Sequence, residues 1–143
     1  MMNFNLMAHE ILHEFEQAKT KDEKIAALRK HGDKSFQLLM FYAFSPDIVF
    51  DATVPEYRPS KEPAGLNHMY LHSEVNRLYN FIVGHPRRAP GITAKKQQQL
   101  LAIMLESLFV EEAKLLADII SGKFKVKSLD IKILKEAYPH IAL

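Results

Sequence analysis

Apolar residues recur every three or four positions along almost the whole of this 143-residue chain. This spacing places them on one face of an α-helix, whereas a half-buried strand would alternate apolar and polar residues. No internal repeat, low-complexity tract or linker interrupts the pattern. The sequence therefore predicts a single compact all-α domain that covers residues 1–143 and is built from about six to eight helices.

Residues that begin or end helices divide the N-terminal part into three predicted helices. Thr20 and Glu23 have the spacing of a capping box, in which each side chain binds a backbone amide at a helix start. Gly32 is placed to end that helix, Asp33 to cap the next, and residues 45–47 (Ser-Pro-Asp) to stop it. The first helix precedes Thr20 and is predicted from its apolar residues Phe4, Met7, Ile11, Phe15 and Ala18.

The rest of the chain alternates loops and helices. Three prolines and a glycine make residues 51–65 an extended loop, which follows a short strand-like stretch at residues 48–50. Thr93 and Asp130 are the predicted caps of two later helices, and Gly122 is placed to end the helix between them. The helices of this part are predicted over residues 66–83, 93–108, 110–120 and 130–138.

The composition is that of an ordinary globular protein, with 48% apolar and 25% charged residues. Without cysteine the chain forms neither disulfides nor thiolate metal sites, which suits a reducing cytoplasm. No apolar run approaches the roughly 20 residues that a membrane span needs, and the N-terminus lacks the pattern of an export signal. We therefore expect a cytoplasmic protein that makes no membrane contact.

The stretch AHEILHEFE contains His9-Glu10-x-x-His13, which is the spacing of the zinc-protease signature. In the longer form of that signature a glycine and a third histidine follow, but Glu16 and Lys19 occupy those positions. Only eight residues precede the motif, too few for the substrate-binding strand of such enzymes. We interpret the match as a chance product of an amphipathic helix rich in Glu and His.

A second pair, His68 and His72, also has the spacing of one helical turn. The two pairs would form a four-imidazole site only if their helices met, and half-buried or surface histidines are the simpler interpretation. The chain has no glycine-rich phosphate loop and no GxSxG nucleophile elbow. We therefore expect a protein that is not an enzyme and that needs neither a metal nor a cofactor.

Positive charge is concentrated toward the C-terminus. Residues 1–80 hold 9 Lys and Arg against 11 Asp and Glu, whereas residues 81–143 hold 10 against 6. Two segments account for most of this excess, and each lies beside a predicted helix start, where free amides and cations together suit phosphate. The first basic segment contains Arg87, Arg88, Thr93, Lys95 and Lys96, and the second contains Lys123, Lys125, Lys127, Ser128 and Lys132.

Three stretches of the chain resemble the N-terminal DNA-binding domain of ATP-dependent DNA ligases, particularly phage-type ones. They are KIAALRKHGDKSFQLLMFYAFSPDIVFDATVPEY, GHPRRAPGITAKKQQQLLAIMLESLFVEEAKLL and VEEAKLLADIISGKFKVKSLDIKILKEAYPHI. The first is similar to the early helices of that family, the second to its paired helices, and the third to its basic loop and last short helix. The resemblance covers about residues 10–142 in a consistent order.

This resemblance implies a helical module that grips duplex DNA, nicked duplex included, through backbone phosphates, with both basic segments on the DNA-facing side. No KxDG nucleotide-attachment motif occurs, so self-adenylylation and sealing are not expected. The family usually has a glycine where Ser128 aligns, and a glycine there would let the backbone approach a phosphate closely. We therefore expect a non-catalytic, sequence-independent DNA-binding accessory protein of a phage, located in the host cytoplasm.

The alternative is a phage protein-interaction module that keeps the fold without binding DNA. Its partner would be a sliding clamp, a replication protein, a host factor or a virion component. Contacts for such a partner are offered by an exposed Tyr57 and Arg58 in the proline-rich loop and by the apolar tail, residues 141–143. Basic segments on one face would favour DNA, whereas lysines paired with Glu111, Glu112 and Asp118 would favour the protein partner.

Overall fold

The structure, a computed structural model, describes residues 6–63, 66 and 68–143. Within these residues the chain is all-helical, and the prediction of an all-α fold is confirmed. A 3₁₀ helix, Val75–Phe81, directly continues the short α4. The seven α-helices are α1 (Ala8–Gln17), α2 (Lys21–His31), α3 (Lys34–Phe44), α4 (Leu71–Glu74), α5 (Ala94–Ser107), α6 (Val110–Ser121) and α7 (Ile131–Ala137).

Each helix cap predicted from the sequence is present. The hydroxyl of Thr20 accepts a hydrogen bond from the Glu23 amide at 3.1 Å, and the Glu23 carboxylate reaches back to the Lys19 amide. The side chains of Asp33, Thr93 and Asp130 each accept the backbone amide three residues later, at 2.9, 3.1 and 2.9 Å. These bonds satisfy amides that a helix start leaves without an internal partner, so the caps fix where these helices begin.

The predicted long helix over residues 66–83 is wrong. Only Leu71–Glu74 is α-helical, and the chain then tightens into the 3₁₀ helix. Its buried residues Val75, Leu78 and Phe81 follow one another at intervals of three, which matches the three residues per turn of a 3₁₀ helix. The helix also starts later than predicted because Met69 pairs with Leu108 in a bridge, and its amide donates to the carbonyl of Ser107.

The first helix also begins later than predicted. Met7 is the residue before Ala8–Gln17, and its amide donates to the Glu10 carboxylate at 2.8 Å. Phe4 and Gly65, which entered the predictions for this helix and for the proline-rich loop, lie outside the described residues. The strand-like stretch at residues 48–50 makes one isolated antiparallel bridge, between Phe50 and Ile82, and no sheet forms in the described part of the chain.

A single apolar core joins the helices. Its fully buried side chains come from every α-helix of the described chain and from the 3₁₀ helix. No helix in the described residues is long and apolar enough to cross a membrane. The largest fully buried core side chains include Phe15, Leu28, Met40, Leu71, Phe81, Leu101, Leu105 and Leu116.

The carboxylate of Glu112 is buried at the centre of this packing. It has no solvent exposure and accepts the amides of Ala8 at 3.3 Å and Leu71 at 3.2 Å, which are the first residues of α1 and α4. Burial raises the pKa of Glu112 above its ordinary value of 4.5, although both amide bonds favour the charged form. One side chain of α6 thereby fixes the starts of two other helices.

The C-terminal helix α7 is attached to α2 through Tyr138. Its hydroxyl, buried with the ring, donates to the carbonyl of Leu28 at 2.6 Å. Gly32 ends α2 as predicted, but its φ is −80°, so no left-handed turn requires glycine there. Glycine is required for space, because a Cβ atom at this position would overlap the Tyr138 hydroxyl and the Leu28 carbonyl.

We predict that Gly32→Ala lowers the free energy of unfolding by about 2–4 kcal/mol, because the added methyl group displaces the Tyr138 hydroxyl from its bond. Gly84→Ala is the control, since its Cβ would meet open space and only the left-handed φ of +74° is strained, which costs about 1 kcal/mol. Urea denaturation measures both. In the double variant Gly32→Ala/Tyr138→Phe the loss of unfolding free energy should be smaller than the sum of the two single losses. Equal losses from the two glycine variants would contradict the steric explanation.

We predict that Glu112→Gln destabilises the protein by about 1–3 kcal/mol at neutral pH, because an amide accepts only one of the two backbone bonds. The raised pKa of Glu112 means that the folded state binds its proton more tightly than the unfolded state does. Its contribution is therefore complete below pH 4.5 and is lost as the pH rises through the raised value.

The stability difference between wild type and Glu112→Gln should consequently widen as the pH falls from neutral toward 4.5. Chemical denaturation at several pH values measures it. Glu111→Gln, which changes an exposed neighbour, should stay within about 0.5 kcal/mol of wild type. A difference that narrows on acidification would contradict the assignment.

Candidate nucleic-acid interface

The first basic segment lies in the loop between the 3₁₀ helix and α5, and Asp51 anchors this loop. The Arg88 guanidinium donates to both carboxylate oxygens of Asp51, at 2.9 and 2.7 Å. The buried Gln97 amide donates to Asp51 Oδ1 and to the carbonyl of Asn80, both at 2.9 Å. Since a bidentate arginine–carboxylate pair has a fixed geometry, the path of the loop is set before α5 begins.

Arg88 is therefore engaged within the fold. Its guanidinium lowers the pKa of Asp51, first through the hydrogen bonds and also through its charge. Arg88, which the sequence predicted as a phosphate ligand, thus positions the loop. Arg87, next to it, is exposed, and its guanidinium lies 5.0 Å from the centre of the Tyr79 ring.

Lys95 and Lys96 occupy the first turn of α5, which contains no acidic residue. Both are exposed, and the Lys96 amide is capped by Thr93. The start of a helix carries a partial positive charge from its free amides, and acids rather than lysines usually stand there. The two lysines add to this charge, so the start of α5 is an electropositive surface.

The second basic segment follows α6. Gly122 ends that helix in the left-handed conformation, and the amides of Lys123 and Phe124 both donate to the carbonyl of Asp118. Exposed and half-buried residues then alternate, so that Phe124 and Val126 face the protein. The exposed members of this alternation are Lys123, Lys125 and Lys127, and Lys132 is exposed in the first turn of α7.

Ser128 has a φ of 70°, and within the described residues it is the one non-glycine residue in the left-handed region. This conformation favours glycine because a Cβ atom crowds the backbone there. The position therefore has a backbone conformation that suits glycine, with a serine side chain attached.

The two basic segments are attached to different parts of the protein. The first is held by Asp51 and Asn80, whereas the second is held by the end of α6 and by Phe124, whose ring meets that of Phe44 edge-on. No hydrogen bond or ion pair joins the segments in the described structure. Apart from Arg88, the predicted cations form no ion pair with any described residue.

None of the three acids that could have paired with these lysines forms an ion pair with them. Glu112 is buried on the two helix starts, and Glu111 lies 3.6 Å from the Nε2 atom of His9. Asp118 receives the Lys123 and Phe124 amides on its backbone carbonyl. The lysines of the second segment thus stay exposed and without an ionic partner among the described residues.

The sequence did not predict the residues that hold the first segment, namely Asp51, Asn80 and Gln97. A signal for Gln97 existed, because it stands four residues before the buried Leu101 on the apolar face of α5. No such signal existed for Asp51, because its partners lie 37 and 46 residues away along the chain.

The histidine pairs have other contacts than those of a metal site. His9 and His68 each lie against the Phe109 ring, with centroids at 5.5 and 5.6 Å, while His72 stacks on Tyr70. Glu10, which lies between the two histidines of the first pair, caps its own helix. In the part of the chain that the structure describes, no three His, Asp or Glu side chains are grouped so that they could hold a metal ion.

The segments proposed for a protein partner are largely part of the fold. Tyr57 is half-buried against the core, which corrects its predicted exposure, and burial followed by the charge of Asp118 raises the pKa of Tyr57. Arg58 is exposed, but its amide donates to the Glu106 carboxylate at 2.8 Å. Ile141 and Leu143 of the tail also pack against the core.

We predict that Ser128→Gly raises the free energy of unfolding by about 0.5–1 kcal/mol, because glycine relieves the left-handed strain. Ser121→Gly, within α6, is the matched control and should lower it by a similar amount, since glycine weakens a helix. Denaturation in urea measures both changes. A Ser128→Gly variant no more stable than wild type would contradict the strained backbone.

Comparison with known protein families matches residues 11–127 to a model described as a family of unknown function, DUF6433. Searches of curated proteins and of solved structures gave no match. The matched stretch runs from α1 through Lys127, so it includes all of the first basic segment and the three alternating lysines of the second. Because the match covers more than half of the chain, the protein belongs to the family DUF6433.

Proposed function

We propose that this protein is a non-catalytic double-stranded DNA-binding protein, which contacts the phosphate backbone without reading sequence. In this proposal it is an accessory protein of a phage and acts in the host cytoplasm. The observation that supports it best is the state of the lysines in both basic segments: they are exposed and form no ion pair with any described residue.

The start of α5 supports phosphate binding most directly. Two lysines in the first turn of a helix are unfavourable for the free helix, by about 0.3–1 kcal/mol each where exposed. A phosphate beside Lys95 and Lys96 would remove this cost and would accept the free amides of the first turn. The anchored Arg88 holds the approach to this turn in place, so binding requires little ordering of the loop.

The second basic segment also supports phosphate binding, because exposed lysines alternate in it with half-buried apolar residues. Phe124 and Val126 pack inward and hold the backbone, while the three lysines between and beside them are exposed. A row of ammonium groups on a fixed backbone suits a polyanion with regularly spaced charges. Contacts of this kind position a protein on DNA and carry no sequence information.

The test is fluorescence anisotropy with nicked and intact duplex DNA at several salt concentrations. With about six phosphate contacts, affinity should fall on the order of a thousandfold between 50 and 200 mM salt. Lys95→Glu/Lys96→Glu and Lys125→Glu/Lys127→Glu should each weaken binding and lower the slope of log affinity against log salt by about two. Because glutamate suits the first turn of α5, the first variant stays folded.

The matched control is Lys30→Glu/Lys61→Glu, which makes the same charge change at exposed sites outside both segments. It should reduce affinity only slightly, through the net charge. Equal losses in all three variants, or no binding by the wild type at low salt, would contradict the proposal. Arg88 is left unchanged because its substitution would release the loop from Asp51.

A further inference from the structure

A cleft of about 740 Å³ lies between α1 and α6 and is bordered by residues 123–126. Its volume is within the range of binding clefts in proteins, about 300–1,000 Å³. Successive turns of both helices line it, from His9 to Glu16 on α1 and from Glu111 to Asp118 on α6. The seven steps between the first and last of these eight residues rise about 10 Å, so the cleft has room for about two turns of another helix.

The base of the cleft is apolar. Leu12 and Leu115 are buried core residues, and the half-buried Phe124 and Val126 stand beside them. The Phe124 ring is held from behind by Phe44, with centroids 5.7 Å apart and an interplanar angle of 82°. An apolar surface fixed in this way suits an apolar stripe of a ligand, because binding then needs no rearrangement.

The rim of the cleft is charged and richer in acids. The α1 side contributes Glu10, Glu14 and Glu16 and no lysine or arginine, and α6 adds Glu111 and Asp118. Three lysines face them from α6 and from the second basic segment. In the described structure the carboxylates of Glu14, Glu16 and Asp118 form no ion pair and accept no hydrogen bond, which leaves them available to a ligand.

We propose that the cleft between α1 and α6 docks an amphipathic helix of net positive charge from a partner protein. Apolar residues at helical spacing would lie on the base, and Lys or Arg beside them would pair with the α1 glutamates. Duplex DNA does not fit as an occupant, because its phosphates would lie against five carboxylates. An acidic helix would meet the same repulsion along α1.

This proposal does not require that the protein binds DNA, although Lys123 and Lys125 border both surfaces. A test must therefore change the acidic side alone. Glu14 and Glu16 are exposed and have no side-chain partner among the described residues, so charge reversal there leaves the fold intact. Glu56 and Glu62, exposed in the proline-rich loop, provide a matched reversal of the same net charge outside the cleft.

The experiment uses two fluorescein-labelled synthetic peptides of about four helical turns, with leucines at the same helical positions and either lysine or glutamate elsewhere. Anisotropy should show that the wild type binds the Leu/Lys peptide and not the Leu/Glu peptide. Glu14→Lys/Glu16→Lys should weaken binding of the Leu/Lys peptide at least about tenfold, and Glu56→Lys/Glu62→Lys no more than about twofold. Amide NMR shifts on addition of the Leu/Lys peptide should include Phe124 and Val126.

Equal affinity of the two charge-reversal variants for the Leu/Lys peptide would overturn the proposal, since a general attraction to the acidic residues would then explain binding. Tighter binding of the Leu/Glu peptide would also overturn it. So would gel filtration showing a dimer that Glu14→Lys/Glu16→Lys dissociates, because a second copy of the chain would then be the occupant of the cleft. Circular dichroism checks that each variant remains folded.

Discussion

The buried carboxylate of Glu112 is the interaction on which the arrangement of helices depends. It neutralises the positive ends of α1 and α4 at once, through hydrogen bonds to Ala8 and Leu71. A single buried charge is unfavourable, and the two amides at helix starts offset part of this cost, although burial still raises the pKa of the carboxylate. This contact links α1, α4 and α6, and the cleft lies between the first and the last of them.

A second carboxylate, that of Asp51, holds part of the surface that we propose for DNA. Asp51 receives Arg88 and Gln97, and the loop before α5 is thereby held on the protein. Both carboxylates act at the start of a helix, one inside the core and one near solvent. Within the first basic segment, Asp51 therefore holds the loop, and Arg88 is its partner in doing so.

The sequence was informative where the physical cause is local. Thr20, Asp33, Thr93 and Asp130 bind amides three residues away, so a short stretch of sequence contains both partners. The contacts that it could not predict join distant residues: Glu112 to Ala8 across 104 positions, and Tyr138 to Leu28 across 110. The 3₁₀ helix is an intermediate case, because its interval of three was visible but also fits one face of an α-helix.

The opposite charges of the two candidate surfaces form no ion pairs with each other in the described structure. Lysines of the second basic segment point away from the half-buried Phe124 and Val126, while the α1 glutamates stand across the cleft from the same residues. Paired opposite charges would neutralise each other's field. Because these lysines and glutamates form no ion pairs, both the positive and the negative groups are available for ligands. Lys123 and Lys125 lie at the boundary between the two surfaces. A cationic helix in the cleft would repel their ammonium groups, whereas a phosphate backbone outside the cleft would attract them. Occupation of the cleft therefore adds positive charge beside the second basic segment, and by thermodynamic reciprocity each ligand would favour binding of the other.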